Sequence, residues 1–522
     1  MLKRILAFAL CAWLVVPSVC AFAESGFSLR FEKEKVRIGE QTKLVVLADS
    51  NVLSATFYLT DNGKFKIDRN KMQYDAQKGK YKVTANFVNG VAEIGLTARY
   101  KGIAEITASE VVLHTQSGDL PVSDITVSVP IKPVATEIRT KQELAAIKNN
   151  LSGNYILMAD IVFSEDDFLP GGEFYNDGYG WEPIGSSVYH AFSGTFEGNG
   201  YKISGLQILK ANYQYLGVFG VNKGVIEELT VTNSTFDGVM GVYVPEPEYS
   251  GNDGNINYED KEVWTPPTGS YDDSNLEEYD RSGKSSAKVG SVCGYNLGEI
   301  YTSASSANVL ANMEAGGICG ANAGKIIECY FYGEVQGETA GGITAKTIAF
   351  SKIENCMSNG TVKGNTAGGI VGANRQSEIK NCLSVSKISA ENAGGISATY
   401  YKSTAENAFY HKQYGLTDEQ AVAKTLSELG DLRFDSNSWN YEKQVPVLKR
   451  FLAITDISIS EEKINFDIDG NGVVNVIDLG ILKKIVARID QSGLYQGGDY
   501  DGNGEVNVVD LAILKKKVAN IL

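Results

Sequence analysis

The feature that most limits what this chain can fold into is a signature that returns at nearly constant spacing. Ala-Gly-Gly-Ile occurs at 315–318, 340–343, 367–370 and 393–396, in steps of 25, 27 and 26 residues. Val289-Gly290-Ser291-Val292 continues the series upstream, and Leu216-Gly217-Val218-Phe219 extends it once an insertion of about 48 residues is set aside. A unit this short, rich in Gly and Asn, cannot enclose a core of its own. The units must therefore stack, which is the logic of a β-solenoid. Gly220-Val221-Asn222-Lys223-Gly224, Gly294-Tyr295-Asn296-Leu297-Gly298 and Gly320-Ala321-Asn322-Ala323-Gly324 read as tight turns in which Asn and Gly take positive φ. Each is followed by a short strand such as 325–330. Stacking puts equivalent side chains one strand spacing apart, so Cys329, Cys356 and Cys382, at steps of 27 and 26, should form an inward ladder of small hydrophobes. A thiolate metal or redox cluster is disfavoured, because neither a C-x-x-C pair nor a histidine accompanies them.

An open solenoid needs covered ends. Thr140-Lys141-Gln142-Glu143 reads as a capping box, with Leu144, Ile147 and Leu151 at helical spacing behind it. At the far end, 417–429 reads as a helix, and Phe434, Trp439 and Pro446-Val447-Leu448 as a plug for the last rung. The insertion, 239–287, carries eleven acidic residues against Lys261, Arg281 and Lys284, with Tyr243, Tyr249, Tyr258, Trp264, Tyr271 and Tyr279. Aromatic faces stack on sugars and paired carboxylates can cleave glycosidic bonds, while a solvated acidic spacer is the plainer reading.

The stretch 136–449 resembles the GLUG-motif repeat family. The approach Trp181-Glu182-Pro183-Ile184-Gly185, then Phe192-Ser193-Gly194-Thr195-Phe196-Glu197-Gly198-Asn199-Gly200, fits it as well. The resemblance implies a right-handed parallel β-helix and no single activity.

The other regions differ in kind, as 522 residues would suggest. Lys3 and Arg4 precede a twelve-residue apolar run from Ile5 to Val16, and Ala21-Phe22-Ala23 is a small-x-small cleavage site, so 1–23 reads as a signal peptide. The run is too short to span a bilayer, so secretion without membrane insertion is expected. Its removal leaves Cys293, Cys319, Cys329, Cys356 and Cys382, an odd number, so at least one thiol stays free. Residues 24–135 alternate with period two, in runs such as 42–47, 56–59, 81–88 and 125–131. Turn signals at Asp61-Asn62-Gly63 and Asn89-Gly90 separate such runs and give a β-sandwich. Gly39 before 44–47, and Phe57-Tyr58-Leu59 after it, faintly resemble cohesin and carbohydrate-binding sandwiches. A net charge of −15 argues against nucleic-acid binding, and three scattered histidines argue against a histidine-built zinc site.

The residues from 450 to 522 carry the most specific motif. Asp467-Ile468-Asp469-Gly470-Asn471-Gly472-Val473-Val474-Asn475-Val476-Ile477-Asp478 returns 32 residues later as Asp499-Tyr500-Asp501-Gly502-Asn503-Gly504-Glu505-Val506-Asn507-Val508-Val509-Asp510. Positions 1, 3, 5, 7, 9 and 12 of a calcium loop are all filled, and glycine stands at 6. Each copy runs into an apolar-periodic helix, with Leu479, Leu482, Ile485, Val486 and Ile489 in the first and Leu511, Leu514, Val518 and Ile521 in the second. The duplicated loop, its exiting helix and the Leu-Lys-Lys that follows resemble the type I dockerin family.

That resemblance implies two Ca²⁺ ions, one on Asp467, Asp469, Asn471, Val473, Asn475 and Asp478, the other on Asp499, Asp501, Asn503, Glu505, Asn507 and Asp510. It further implies a cohesin partner on a scaffold protein, contacted by Val476, Ile477, Lys483 and Lys484 and by Val508, Val509, Lys515 and Lys516. The expected protein is a mainly β, secreted, scaffold-associated component of polysaccharide degradation. Its solenoid either binds glycan, or is itself a glycoside hydrolase or polysaccharide lyase, or serves as an adhesin. No catalytic residue can be named from sequence.

Overall fold

The computed structural model describes residues 20–22, 26–69, 72–209, 213–238, 287–348, 350–412, 416–434, 437–453, 476–487 and 508–519. Two compact units divide between Ala135 and Thr136.

The first unit is a β-sandwich. A five-stranded and a seven-stranded sheet enclose one apolar core, and all their pairings are antiparallel except Val36–Arg37 beside Ile131–Lys132. Alternation explains it: along Ile125–Lys132 every second side chain is buried, and Phe27 of one sheet meets Phe57 of the other with ring centroids 6.1 Å apart. Asn89 and Gly90 both take positive φ, 54° and 77°, while Val88 and Val91 exchange backbone hydrogen bonds. This is the tight primed turn expected of Asn-Gly. Cys20–Phe22, within the expected leader, runs antiparallel to Ser28–Arg30 as an edge strand. Cleavage after Ala23 would make Phe27–Phe31 the edge instead.

The second unit contains the parallel solenoid. One rung runs through Glu314–Gly316, Cys319–Asn322, Lys325–Ile327, Tyr330–Phe331 and Glu334–Gln336, and equivalent strands of successive rungs join into sixteen-, ten- and six-stranded sheets. The sequence alignment is the structural register. Ala315 pairs with Ala340, Ala340 with Ala367 and Ala367 with Ala393. Ile226, Ile300, Ile326, Ile353 and Ile379 form one fully buried column. Ser303, Cys329, Cys356 and Cys382 form another, and Cys293 stacks on Cys319 in a third. All five of these cysteines are free, buried thiols, and burial pushes Cys319, Cys356 and Cys382 well above the ordinary thiol range. A chain starting after residue 23 should therefore show no fast reaction with a water-soluble disulfide reagent until it unfolds. Any stoichiometric labelling of native protein would contradict this packing.

The turns differ from expectation. Asn222, Asn296 and Asn322 do not have positive φ. They lie buried at strand ends, where Asn222 donates to Asn296 and Asn296 to Asn322, both at 2.8 Å. Each also accepts from the backbone N–H two residues on, so the amides satisfy corner groups that stacking would otherwise orphan. In these rungs positive φ falls at another corner, in the column Glu228, Thr302, Glu328, Asn355, Asn381 and Asn407, and the asparagine corner takes it only in later rungs, at Phe350, Gln376 and Lys402.

The capping box at Thr140 forms, and Leu144 and Ile147 of its short helical turns enter the solenoid core. The other end departs from the reading. In place of a helix over 417–429, Val422–Lys424 adds a parallel strand to Phe409–His411, and the helix is only Leu426–Gly430. The template edge offers a ladder of backbone partners that a helix would forgo. Asp418 accepts from the N–H groups of Ile396 and Ser397, at 2.8 and 2.9 Å, and so blunts the last strand of the six-stranded sheet.

Nor do Phe434, Trp439 and Val447-Leu448 plug the last rung. They lie along the solenoid flank, over a column of outward apolar residues from four rungs: Ala304, Tyr330, Met357 and Leu383. Phe434 stacks on Trp439 at 4.2 Å, Arg450 pairs with Glu228 at 2.8 Å, and Ser438 donates to Glu328.

The insertion, with its aromatic and acidic residues, lies outside the described residues apart from Ala287. The rungs on either side keep phase: Gly238 pairs with Ala311 and Lys288 with Glu314. Where 49 residues intervene on one rung, Asn312-Met313 suffices on the next. Deleting 240–286, so that Val239 and Ala287 take the places of Asn312 and Met313, should shift the solenoid melting temperature by only a few degrees. A collapse of the transition would assign the insertion a covering role.

Candidate functional site

Two places gather residues capable of recognition. The first is the C-terminal pair of helices, Val476–Val486 and Val508–Val518, whose bounds are 32 residues apart at both ends. Leu482, Ile513 and Leu514 are buried between them, with Leu479, Val486, Leu511 and Val518 packed around. Equivalent positions play equivalent parts: Val476 and Val508 are 70% and 68% exposed, and Lys483, Lys484, Lys515 and Lys516 face solvent. The leucines pack on one stripe of each helix, and the lysines flank that stripe with their ammonium groups in solvent. Ile477, Asp478, Val509 and Asp510 fall in the first helical turns, and nothing further of their side chains is described. Asp467, Asp469, Asn471, Val473 and Asn475, and Asp499, Asp501, Asn503, Glu505 and Asn507, lie outside the described residues. The donor set is all oxygen, and its twelfth member enters the exiting helix in both copies, which suits a hard cation such as Ca²⁺.

The second place was not singled out by sequence. Two strand columns meet at the corner occupied by Ser291-Val292 and Gly317-Ile318. One column steps through Tyr215, Lys288 and Glu314, the other through Tyr295, Ala321 and Lys346. Side chains of the two columns touch across the corner. Tyr215 stacks on Tyr295 with ring centroids 5.7 Å apart and planes 17° apart. Glu314 lies between Lys346, 3.6 Å from one carboxylate oxygen, and Lys288, 3.8 Å from the other. Glycine permits this closeness. A Cβ at Gly320 would come within 2.6 Å of the Val289 backbone nitrogen, and one at Gly294 within 2.6 Å of the Leu216 backbone nitrogen. Glu314 Oε2 is buried and accepts no hydrogen bond. The arrangement offers an acceptor and two ammonium donors along about two rung spacings, roughly 10 Å, beside a tyrosine pair that is itself buried.

Among the described residues no group of His, Cys, Asp and Glu could hold a metal ion, and no helix is long and apolar enough to cross a membrane.

No family model matches the chain. It is 33% identical over 107 residues to halomucin of Haloquadratum walsbyi, an alignment that covers 20% of this chain and 1% of that protein. The chain thus spans about a hundredth of that relative's length. Among solved structures it is similar to a cohesin module from a Clostridium perfringens family 33 glycoside hydrolase. The identity is 13% and the TM-score 0.18, over 22% of this chain and 99% of the module. It is also similar to an IgA1 protease, at 13% identity and a TM-score of 0.34, over 74% of this chain and 29% of that one.

Proposed function

We propose that this chain is a secreted component of a polysaccharide-degrading assembly. Its C-terminal module is a type I dockerin that docks, with two Ca²⁺ ions, onto a cohesin domain of a scaffold protein, while a right-handed GLUG-type solenoid engages the glycan. The observation that carries the reading is the duplication: two calcium-loop sequences 32 residues apart, each opening a helix whose buried leucine, exposed valine and exposed lysines match the other's. Calcium would neutralise the three carboxylates of each loop and tie the loop to its helix.

Two similar faces imply two ways of gripping one partner. Replacing Val476 and Ile477 by aspartate should weaken cohesin binding only a few-fold, whereas replacing Val508 and Val509 as well should abolish it. Calorimetric titration against a panel of cohesins measures this. Complete loss from the first pair alone would reject the two-face arrangement.

A second reading makes the solenoid itself a glycoside hydrolase or lyase, and the convergence of Glu314 with Lys288 and Lys346 is the observation that favours it. Screening the calcium-loaded protein on plant polysaccharides separates turnover from retention without turnover.

A further inference from the structure

We infer that the corner where Lys288, Glu314 and Lys346 meet is a binding subsite for a neutral saccharide, gripped through adjacent hydroxyls. The inference rests on the proposal that the solenoid engages glycan, and it adds the place and the ligand class.

The orphaned oxygen is the starting point. Buried polar atoms are almost always hydrogen-bonded, and an exception in a packed structure marks a place where a ligand or solvent supplies the missing partner. Glu314 Oε2 is such an exception, although the Glu314 side chain as a whole keeps 16% of its surface open. Lys288 and Lys346 keep 20% and 22%. At 3.8 and 3.6 Å neither ammonium is within hydrogen-bonding distance of the carboxylate, so the three charges are held near one another without being consumed by one another.

A carboxylate that accepts beside an ammonium that donates is complementary to two neighbouring hydroxyls, one giving its hydrogen and the other its lone pair. An anionic ligand fits less well. It would meet the Glu314 charge directly, and the insertion that re-enters the solenoid at Lys288 carries a net charge of −8. A cationic ligand would meet the two lysines. The stacked Tyr295 and Tyr215, one and two rungs from Glu314, are both buried in an apolar cluster with Ala191, Val221 and Ala321, so they fix the backbone of the corner and leave recognition to the three charged groups.

The test is affinity electrophoresis of the calcium-loaded full chain in gels containing xylan, a neutral β-glucan or polygalacturonate, at low salt and at about 0.5 M NaCl. Wild type should be retarded by a neutral glycan at both salt concentrations. Glu314→Gln and Lys346→Met should each weaken retardation about tenfold or more, with melting temperatures near wild type. Lys363→Met, which breaks an exposed ion pair with Glu334 on a different strand column, should change nothing. Should Glu314→Gln fold poorly, Lys346→Met alone decides, because its stem keeps the packing. Retardation by neutral glycan that survives both substitutions would overturn the subsite while leaving the solenoid a glycan binder. Retardation only by polygalacturonate, lost at high salt, would overturn the ligand class. Retardation by none of the three would remove both the subsite and the glycan reading on which it rests.

Discussion

Chelating calcium from the full chain is expected to unfold the C-terminal helix pair while leaving the solenoid intact. Each loop sequence carries three carboxylates, Asp467, Asp469 and Asp478 in one and Asp499, Asp501 and Asp510 in the other, and on the proposed reading their repulsion is uncompensated without the ion. The helices have little to fall back on. At eleven residues each they are too short to persist alone in water, and the core between them rests on Leu482, Ile513 and Leu514. Saturating one site at a hundred times its dissociation constant adds about 2.7 kcal/mol, so two sites are enough to decide whether this module folds. Hydrogen exchange of amides in 479–486 and 511–518, compared in calcium and in EDTA, should show protection falling by at least about a hundredfold. Equal protection in both conditions would falsify the calcium reading of the repeated loops.

Placing a single methyl group on Gly342 should destabilise the solenoid by about 3 kcal/mol. An added Cβ would come within 2.2 Å of the Gly369 carbonyl oxygen of the next rung and equally close to Ser358 Oγ, and the backbone of a stacked rung has nowhere to retreat. Gly342 has no positive φ, so the effect isolates close approach from backbone strain. Gly480 provides the opposite case. It lies inside the helix Val476–Val486 with open space around its Cβ position, and Gly480→Ala should stabilise that helix by up to about 1 kcal/mol. Urea unfolding of the full chain, followed separately by tyrosine fluorescence for the solenoid and by exchange at the helix amides, measures both. A Gly342→Ala variant as stable as wild type would mean that the rungs are not packed as described.

Much of the solenoid was legible because parallel stacking without stagger makes the spatial neighbour and the sequence neighbour one period away the same residue. The pairs Ala340 with Ala367 and Cys356 with Cys382 could be read straight from the spacing, and so could the site of the insertion, since Lys288 resumes the phase. The repeat of 467–478 at 499–510 is equally plain in sequence, because twelve consecutive residues carry it, and the calcium it would hold belongs to the proposed reading. Where the deciding interaction was not periodic, the sequence misled. Residues 417–425 have helical composition, yet Asp418 and the strand Val422–Lys424 are captured by the open edge of the last rung. Asn222, Asn296 and Asn322 suggest turns by residue type, but their amides bond from rung to rung instead. Phe434 and Trp439 announce a buried aromatic cluster without saying which surface it covers, and the choice fell to the apolar column from Ala304 to Leu383, four rungs long.

The period by itself determined that this chain must stack, and in which register, because a 26-residue unit has no other way to bury its Ala and Ile columns. Only the tertiary structure decided that Tyr215, Tyr295, Glu314 and Lys346 meet at one corner. They belong to different rungs and span 131 positions, and whether outward side chains converge or diverge depends on how sharply the backbone folds at Gly294 and Gly320, which no spacing records.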